Sequence, residues 1–295
     1  MSDNKSQIVK ASDYGSFSGV GLENFTASDV TTPFLYLLGA KSPQCEVGNP
    51  KYVEGATAGM LMNGASQELY PAFVRAGAPL PQGLIFQPVV MKHEYEERTP
   101  KIGDQQGNHL GNHDAADALV LDAIADFRQR TGKKFSPRYP LGNGNEINET
   151  YLLIGFIHST EDIAAQTALG VGTPIAITFS STRIKPLKDY IYQVFSIGTD
   201  PTKAPPLFAH RLRLRTVLES RTLNGKPITS HNYVIKPLIE GNVLKSLIPL
   251  NDESGNTHPL IAAGRDLNAA FSAGSVKVGV ADTKHDDEVS TKPPF

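Results

Sequence analysis

Tryptophan is absent from this chain and cysteine occurs once, at Cys45. A lone thiol excludes a disulfide framework and a cysteine-built zinc centre, and it suits a reducing compartment. No apolar run approaches the roughly 20 residues that a membrane-spanning helix needs. The polar first residues carry no apolar core of a secretory signal. The expected setting is therefore the cytoplasm, with no membrane partner. Catalytic signatures are missing as well. There is no Walker loop and no G-x-S-x-G elbow, and Gly170-Val171-Gly172 has Ile175 where a dinucleotide-binding turn needs its third glycine. His109 and His113 have the spacing of a helical metal pair, but Leu110, Gly111 and Asn112 between them omit the glutamate and favour a loop. No catalytic residue, metal ligand or cofactor is expected, so the chain reads as a binding protein rather than an enzyme.

What is present is an uneven distribution of charge. The formal net charge is −2 over 295 residues. Yet the span from Arg183 to Lys236 holds ten basic residues against three acids, Asp189, Asp200 and Glu219. The final fifteen residues hold four acids against two bases and end on Pro293-Pro294-Phe295. A basic middle between acidic ends suits a polyanionic ligand, with a tail that can compete for the same surface.

Hydrophobic patterning places strands at Leu84–Met91, extending towards Tyr95, and at Tyr151–His158 and Pro174–Phe179. Pro88 requires an edge position or a bulge. Helical spacing covers 115–129; Ser180, Ser181 and Thr182 offer capping hydroxyls before a helix over about 183–195, with Pro186 in its first turn, and a last short helix covers 261–273. Residues 99–114 and 131–150 read as loops. Leu207–Leu218 and Pro227–Leu238 flank Asn224-Gly225, a favoured two-residue hairpin turn. Strands outnumber helices and do not alternate with them. The expected fold is mainly β, or α+β: an OB-fold-like antiparallel barrel or curled sheet with inserted loops and short helices. The boundaries are a flexible segment 1–30, a nucleic-acid-binding domain 31–275 with an insertion at 99–150, and a disordered acidic tail 276–295.

Strand alternation puts Arg211, Arg213 and Arg215 on one face and Leu212 and Leu214 on the other. If Asn224-Gly225 sets the register, paired positions sum to about 449 by the two-residue turn rule. Arg213 then faces Lys236, and Tyr233 falls on the core side. Like charges directly opposite destabilise a strand pair unless an anion lies across them. A solvated outer sheet face with acidic partners is the alternative. Arg183, Lys185 and Lys188 gather at a helix start, where free N–H groups also favour phosphate. Rings that could stack on bases lie close by in sequence at Tyr190 and Tyr192. Lys133, Lys134, Phe135, Arg138 and Tyr139 interleave cations and rings in a loop.

Several segments together resemble the single-stranded DNA-binding proteins of tailed bacteriophages: Asp29-Val30-Thr31-Thr32-Pro33-Phe34-Leu35-Tyr36-Leu37-Leu38, the strand–serine–basic helix at Ile175–Lys185, Phe208-Ala209-His210-Arg211-Leu212-Arg213-Leu214 leading to a hairpin, and the acidic tail. The resemblance implies an OB-fold core and sequence-nonspecific binding of single-stranded DNA in phage replication, recombination or repair. Asp286, Asp287, Glu288, Pro294 and Phe295 would then form a partner-binding tail for replication or recombination proteins, and a homo-oligomer is compatible with it. The tail departs from the bacterial form because Lys292 intervenes and its acids stop short of the end. A phage structural or assembly protein, with the hairpin as a subunit contact, and a component of a nucleic-acid-processing enzyme are the other readings.

Overall fold

The computed structural model describes residues 31–74, 83–100, 107–136, 138–196, 204–223 and 226–278. The segment 1–30, the Asn224-Gly225 turn and the tail residues Asp286, Asp287, Glu288, Pro294 and Phe295 lie outside the described residues. In chain order the strands are β1 (Thr31–Thr32), β2 (Leu35–Leu37), β3 (Leu61–Asn63), β4 (Leu69–Tyr70), β5 (Phe73–Val74), β6 (Leu84–Arg98), β7 (His109–Asp114), β8 (Arg138–Pro140), β9 (Glu146–His158), β10 (Pro174–Ser180), β11 (Leu212–Leu223), β12 (Lys226–Pro237) and β13 (Lys277–Val278). The α-helices are α1 (Ala118–Thr131), α2 (Ile163–Leu169), α3 (Ile184–Phe195) and α4 (Pro259–Ser272).

The main sheet runs β10-β9-β6-β11-β12 with antiparallel neighbours throughout. Among the described residues it is not closed by a backbone ladder between β10 and β12. It curls until those two edges meet through side chains: the rings of Phe179 and Tyr233 lie 4.9 Å apart between centroids. The curled-sheet form of the expected fold is thus the one realised, not the closed barrel. Helix α3 seals the seam. Its Ile184, Leu187, Tyr190 and Val194 recur at helical spacing and are all buried in the core inside the curl, with Phe86, Leu153, Ile177, Leu212 and Ile235. Pro186 lies in the first turn, where no intrahelical hydrogen bond is forfeited. The expected hydroxyl caps are not used. Ser181–Arg183 form a 3-10 turn instead, and neither that turn nor α3 has a side-chain cap.

The hairpin has the register read from its turn: Arg213 faces Lys236, Leu214 faces Ile235 and Thr216 faces Tyr233. Pro88 sits in a central strand, and the ladder slips between Pro88 and Val90, so the bulge alternative applies. Gly155 faces this site. A Cβ there would come within 2.1 Å of the Gln87 carbonyl, so only glycine allows the strands to close.

Strands β6 and β9 continue beyond the curl as an arm. There β7 pairs with β6, which corrects the expected loop at 99–114, and β8 pairs with β9. Both faces of β7 are polar, which hid its alternation. Helix α1 covers the arm, burying Val120 and Ala123 against Tyr95, Tyr139 and Ile147. Asp117 caps it by accepting from Leu119 N at 3.0 Å, and Gly132 ends it at φ 67°. The inserted segment 99–150 is therefore an ordered extension of the sheet wherever it is described. On the outer face of the curl, α4 packs against Val90, Ile154 and Phe156. No helix among the described residues is long and apolar enough to cross a membrane.

Candidate nucleic-acid interface

The buried face of α3 leaves an opposite stripe in solvent: Lys185, Lys188, Tyr192 and, at its flank, Phe195. Tyr192 is 75% exposed and Phe195 52%. Beside them lies an apolar groove of about 320 Å³ lined by Met91, Tyr151, Leu187, Lys188, Ile191, Tyr192 and Phe195. Two large rings kept in water around an apolar slot, with an ammonium group at its edge, form a surface on which an unpaired base can stack while a phosphate meets the cation.

The Lys188 ammonium is held in place. It donates to Glu149 Oε1 at 2.9 Å and lies 5.0 Å from the centre of the Tyr151 ring. Tyr151 O–H donates to the same oxygen at 3.2 Å, and His93 stacks on the Tyr151 ring with centroids 4.3 Å apart and planes 3° apart. Glu149 is buried and its Oε2 has no hydrogen-bond partner. Burial lowers the His93 pKa against the pull of Glu149, and the nearby Lys188 charge lowers it further. Burial alone would lower the Lys188 pKa, but hydrogen bonds to Glu149 and Tyr151 leave it raised, so the cation persists. Lys185 is exposed and pairs with Asp189 at 2.6 Å, one turn on.

The hairpin arginines are not open to solvent as expected. Arg211 is buried and donates to the Glu161 carbonyl at 2.6 Å. Arg213 is buried and pairs with the Glu161 carboxylate, while Arg215 reaches Glu240 at 2.5 Å. The alternative of an outer sheet face with acidic partners describes this geometry. Those acids lie at least 25 residues away in sequence from the arginines they meet, beyond local reading. Lys236 is exposed on the same face, opposite Arg213.

Two expected stacking rings belong to the cores. Tyr190 is 1% exposed on the buried stripe of α3, and Tyr139 packs edge-on against Phe127 at 5.4 Å in the arm. Neither can meet a base. Arg138 pairs with Glu146 at 2.9 Å, whereas Lys133, Lys134 and Phe135 are exposed after α1. Arg183 leaves the stripe: its guanidinium lies 5.9 Å from the Tyr233 ring centre, at the end of a larger cleft.

That cleft, about 910 Å³, occupies the other face of β6, β9 and β10 beneath Phe34, Tyr36 and Phe271. Its floor is internally satisfied, with Lys92 on Glu94 at 2.5 Å, Arg98 on Glu96 at 2.7 Å and Asn112 on Glu94 at 3.1 Å. An incoming polyanion would face these carboxylates. No group of three or more histidines, cysteines or acids suited to a metal ion occurs among the described residues. His113 instead contacts Glu97 at 2.8 Å, and His109 contacts Asn112 at 3.0 Å.

Sequence reading missed Phe195, Tyr151, His93 and Glu149. The ring at Phe195 stands three positions after Tyr192 on the same helical flank, a usable signal. The Glu149–Lys188 pair spans 39 residues and had none.

Among protein families, the model of the Pam3 phage gp34-like protein family matches residues 3–231. No curated protein and no solved structure matches the chain.

Proposed function

This chain belongs to the Pam3 phage gp34-like family, and we propose that it is a sequence-nonspecific single-stranded DNA-binding protein serving phage replication, recombination or repair. One observation carries the reading: Tyr192 and Phe195 stand exposed around an apolar groove whose edge is the fixed Lys188 ammonium. Both rings are more than half exposed. Base faces of an unpaired strand offer a partner for them without sequence preference, and each stacked base contributes about 1–3 kcal/mol. Duplex DNA hides those faces, so the groove discriminates by strandedness. Lys185, Lys188 and the exposed Lys133 and Lys134 supply contacts to phosphate. The reading needs no catalysis and no cofactor. The acidic, Phe-ended tail is the proposed arm for replication or recombination partners.

The test is fluorescence anisotropy with labelled oligo-dT, competed by unlabelled single strand and by duplex. Single strand should displace the probe, duplex should not, and affinity should fall as salt rises. Failure to bind oligo-dT at low salt, or equal displacement by duplex, would overturn the reading.

A further inference from the structure

Strand β11 and the residue before it hold Arg211, Arg213 and Arg215 at alternate positions, roughly 7 Å apart along an extended strand. Lys236 of β12 stands opposite Arg213 on the same face. The stems are fixed from below. A Cβ on Gly83 would come within 2.7 Å of the Arg215 Cγ and 3.4 Å of the Arg213 Cγ, so backbone packs directly on them. Of these four cations, Arg213 meets the Glu161 carboxylate and Arg215 the Glu240 carboxylate, while Arg211 donates to the Glu161 backbone carbonyl.

These pairs are lopsided. The Arg213 and Arg215 side chains are 8% and 13% exposed, while their partners Glu161 and Glu240 are 53% and 54% exposed. The acids also sit on connections, Glu161 between β9 and α2 and Glu240 in the turn after β12. A buried guanidinium must keep an acceptor, because an unpaired buried charge is heavily penalised. A half-exposed carboxylate on a turn has no such constraint and can rotate into water. Phosphate oxygens offer guanidinium the same two-pronged acceptor geometry as a carboxylate.

We propose that Glu161 and Glu240 occupy the places of phosphodiester groups on the β11 arginine row, and that a bound single strand takes those places while the carboxylates turn out to solvent. The inference rests on the function proposed above. Exchange keeps every guanidinium paired, so the arginines never lose an acceptor. It also makes the row selective: a ligand must bring successive anions, as a nucleic-acid backbone does, to displace both acids at once.

Glu161→Gln and Glu240→Gln remove the competing charge while keeping an acceptor in place. Each should tighten oligo-dT binding by about fivefold, the upper reach of a surface-type ion pair. Adding Arg215→Ala to the Glu240→Gln variant should abolish the gain. Should a variant fail to fold, the wild-type protein gives an independent measurement: carbodiimide labelling of carboxylates, read by mass spectrometry with and without oligo-dT. Labelling of Glu161 and Glu240 should rise when DNA is bound. If oligo-dT binds and Tyr192→Ala weakens it, but the Gln variants or the labelling show no change, the exchange is refuted while the DNA-binding reading stands. If wild type does not bind oligo-dT, both fall together.

Discussion

The side-chain carbonyl of Gln87 meets Nε2 of His158 at 3.0 Å, and the rest of the Gln87 amide fixes this orientation. Its nitrogen donates to the carbonyls of Phe208 at 2.8 Å and Leu260 at 2.9 Å, so its oxygen must face the imidazole. Nε2 of His158 therefore carries the proton. Nδ1 is left buried without a partner, near the Arg211 charge. One glutamine thus ties β6 to β9, to the start of α4 and to the turn before β11.

This arrangement makes the fold acid-sensitive. Burial first, and the Arg211 charge second, lower the His158 pKa from 6.5 to about 4. The native state then binds fewer protons than the unfolded chain between those values, so stability is complete above pH 6.5 and drains as pH falls towards 4. A shift of this size corresponds to roughly 3 kcal/mol. His210 and His258 are displaced in the same direction by burial and add to the effect. Thermal midpoints measured from pH 7.5 to pH 4 should fall steeply below pH 6.5, and His158→Gln should flatten the slope. A wild-type midpoint that stays level down to pH 4.5 would contradict the assignment.

Tyr192→Ala should weaken oligo-dT binding by about 1–3 kcal/mol, the value of one stacked base, with Phe195→Ala similar. Both rings are exposed, so the unfolding midpoints of the variants should remain within a few degrees of wild type. Tyr192→Phe keeps the ring and should retain affinity. Loss of binding in that variant would assign the effect to the hydroxyl and not to stacking.

Gly155→Ala should damage the centre of the sheet. Besides the Gln87 carbonyl, the new methyl would meet the Phe86 ring at 2.8 Å, and neither neighbour can withdraw. Overpacking of this kind costs about 1–3 kcal/mol or more, here with backbone as the obstacle. Denaturant unfolding should show a lower midpoint. Ala at Gly142, which meets nothing within 4 Å, is the matched control.

Phe179→Ala should cost about 3–5 kcal/mol, because it empties a fully buried site and removes the ring contact that joins the sheet edges. Amide exchange in β10 and α3 should quicken more than in β9, which has a hydrogen-bonded neighbour on both sides. Uniform acceleration across all strands would show that the edge contact has no local role.

The parts of the fold legible in the sequence were those fixed by near neighbours. The register counted from Asn224-Gly225 matches the pairing of Arg213 with Lys236, Pro88 limited its strand to an edge or a bulge, and the helix expected over 183–195 is α3, although the hydroxyl caps it was read from are not used. Tyr190 stands at helical spacing with Ile184, Leu187 and Val194, a signal of burial that went unused while its basic neighbours suggested exposure. Strand β7 escaped notice because neither of its faces is apolar. The neutralisation of Arg213 by Glu161 was out of reach, since pairing across 52 residues is a product of the folded chain. A count of charges along the sequence reveals a surplus but not which cations are already engaged.

The parallel pairing of β1 with β13 places Thr31 beside Lys277 and Thr32 beside Val278. The first and last strands of the described residues thus lie side by side. A donor–acceptor dye pair at Thr31 and Lys277 would monitor whether that parallel pairing stays fastened when oligo-dT is added.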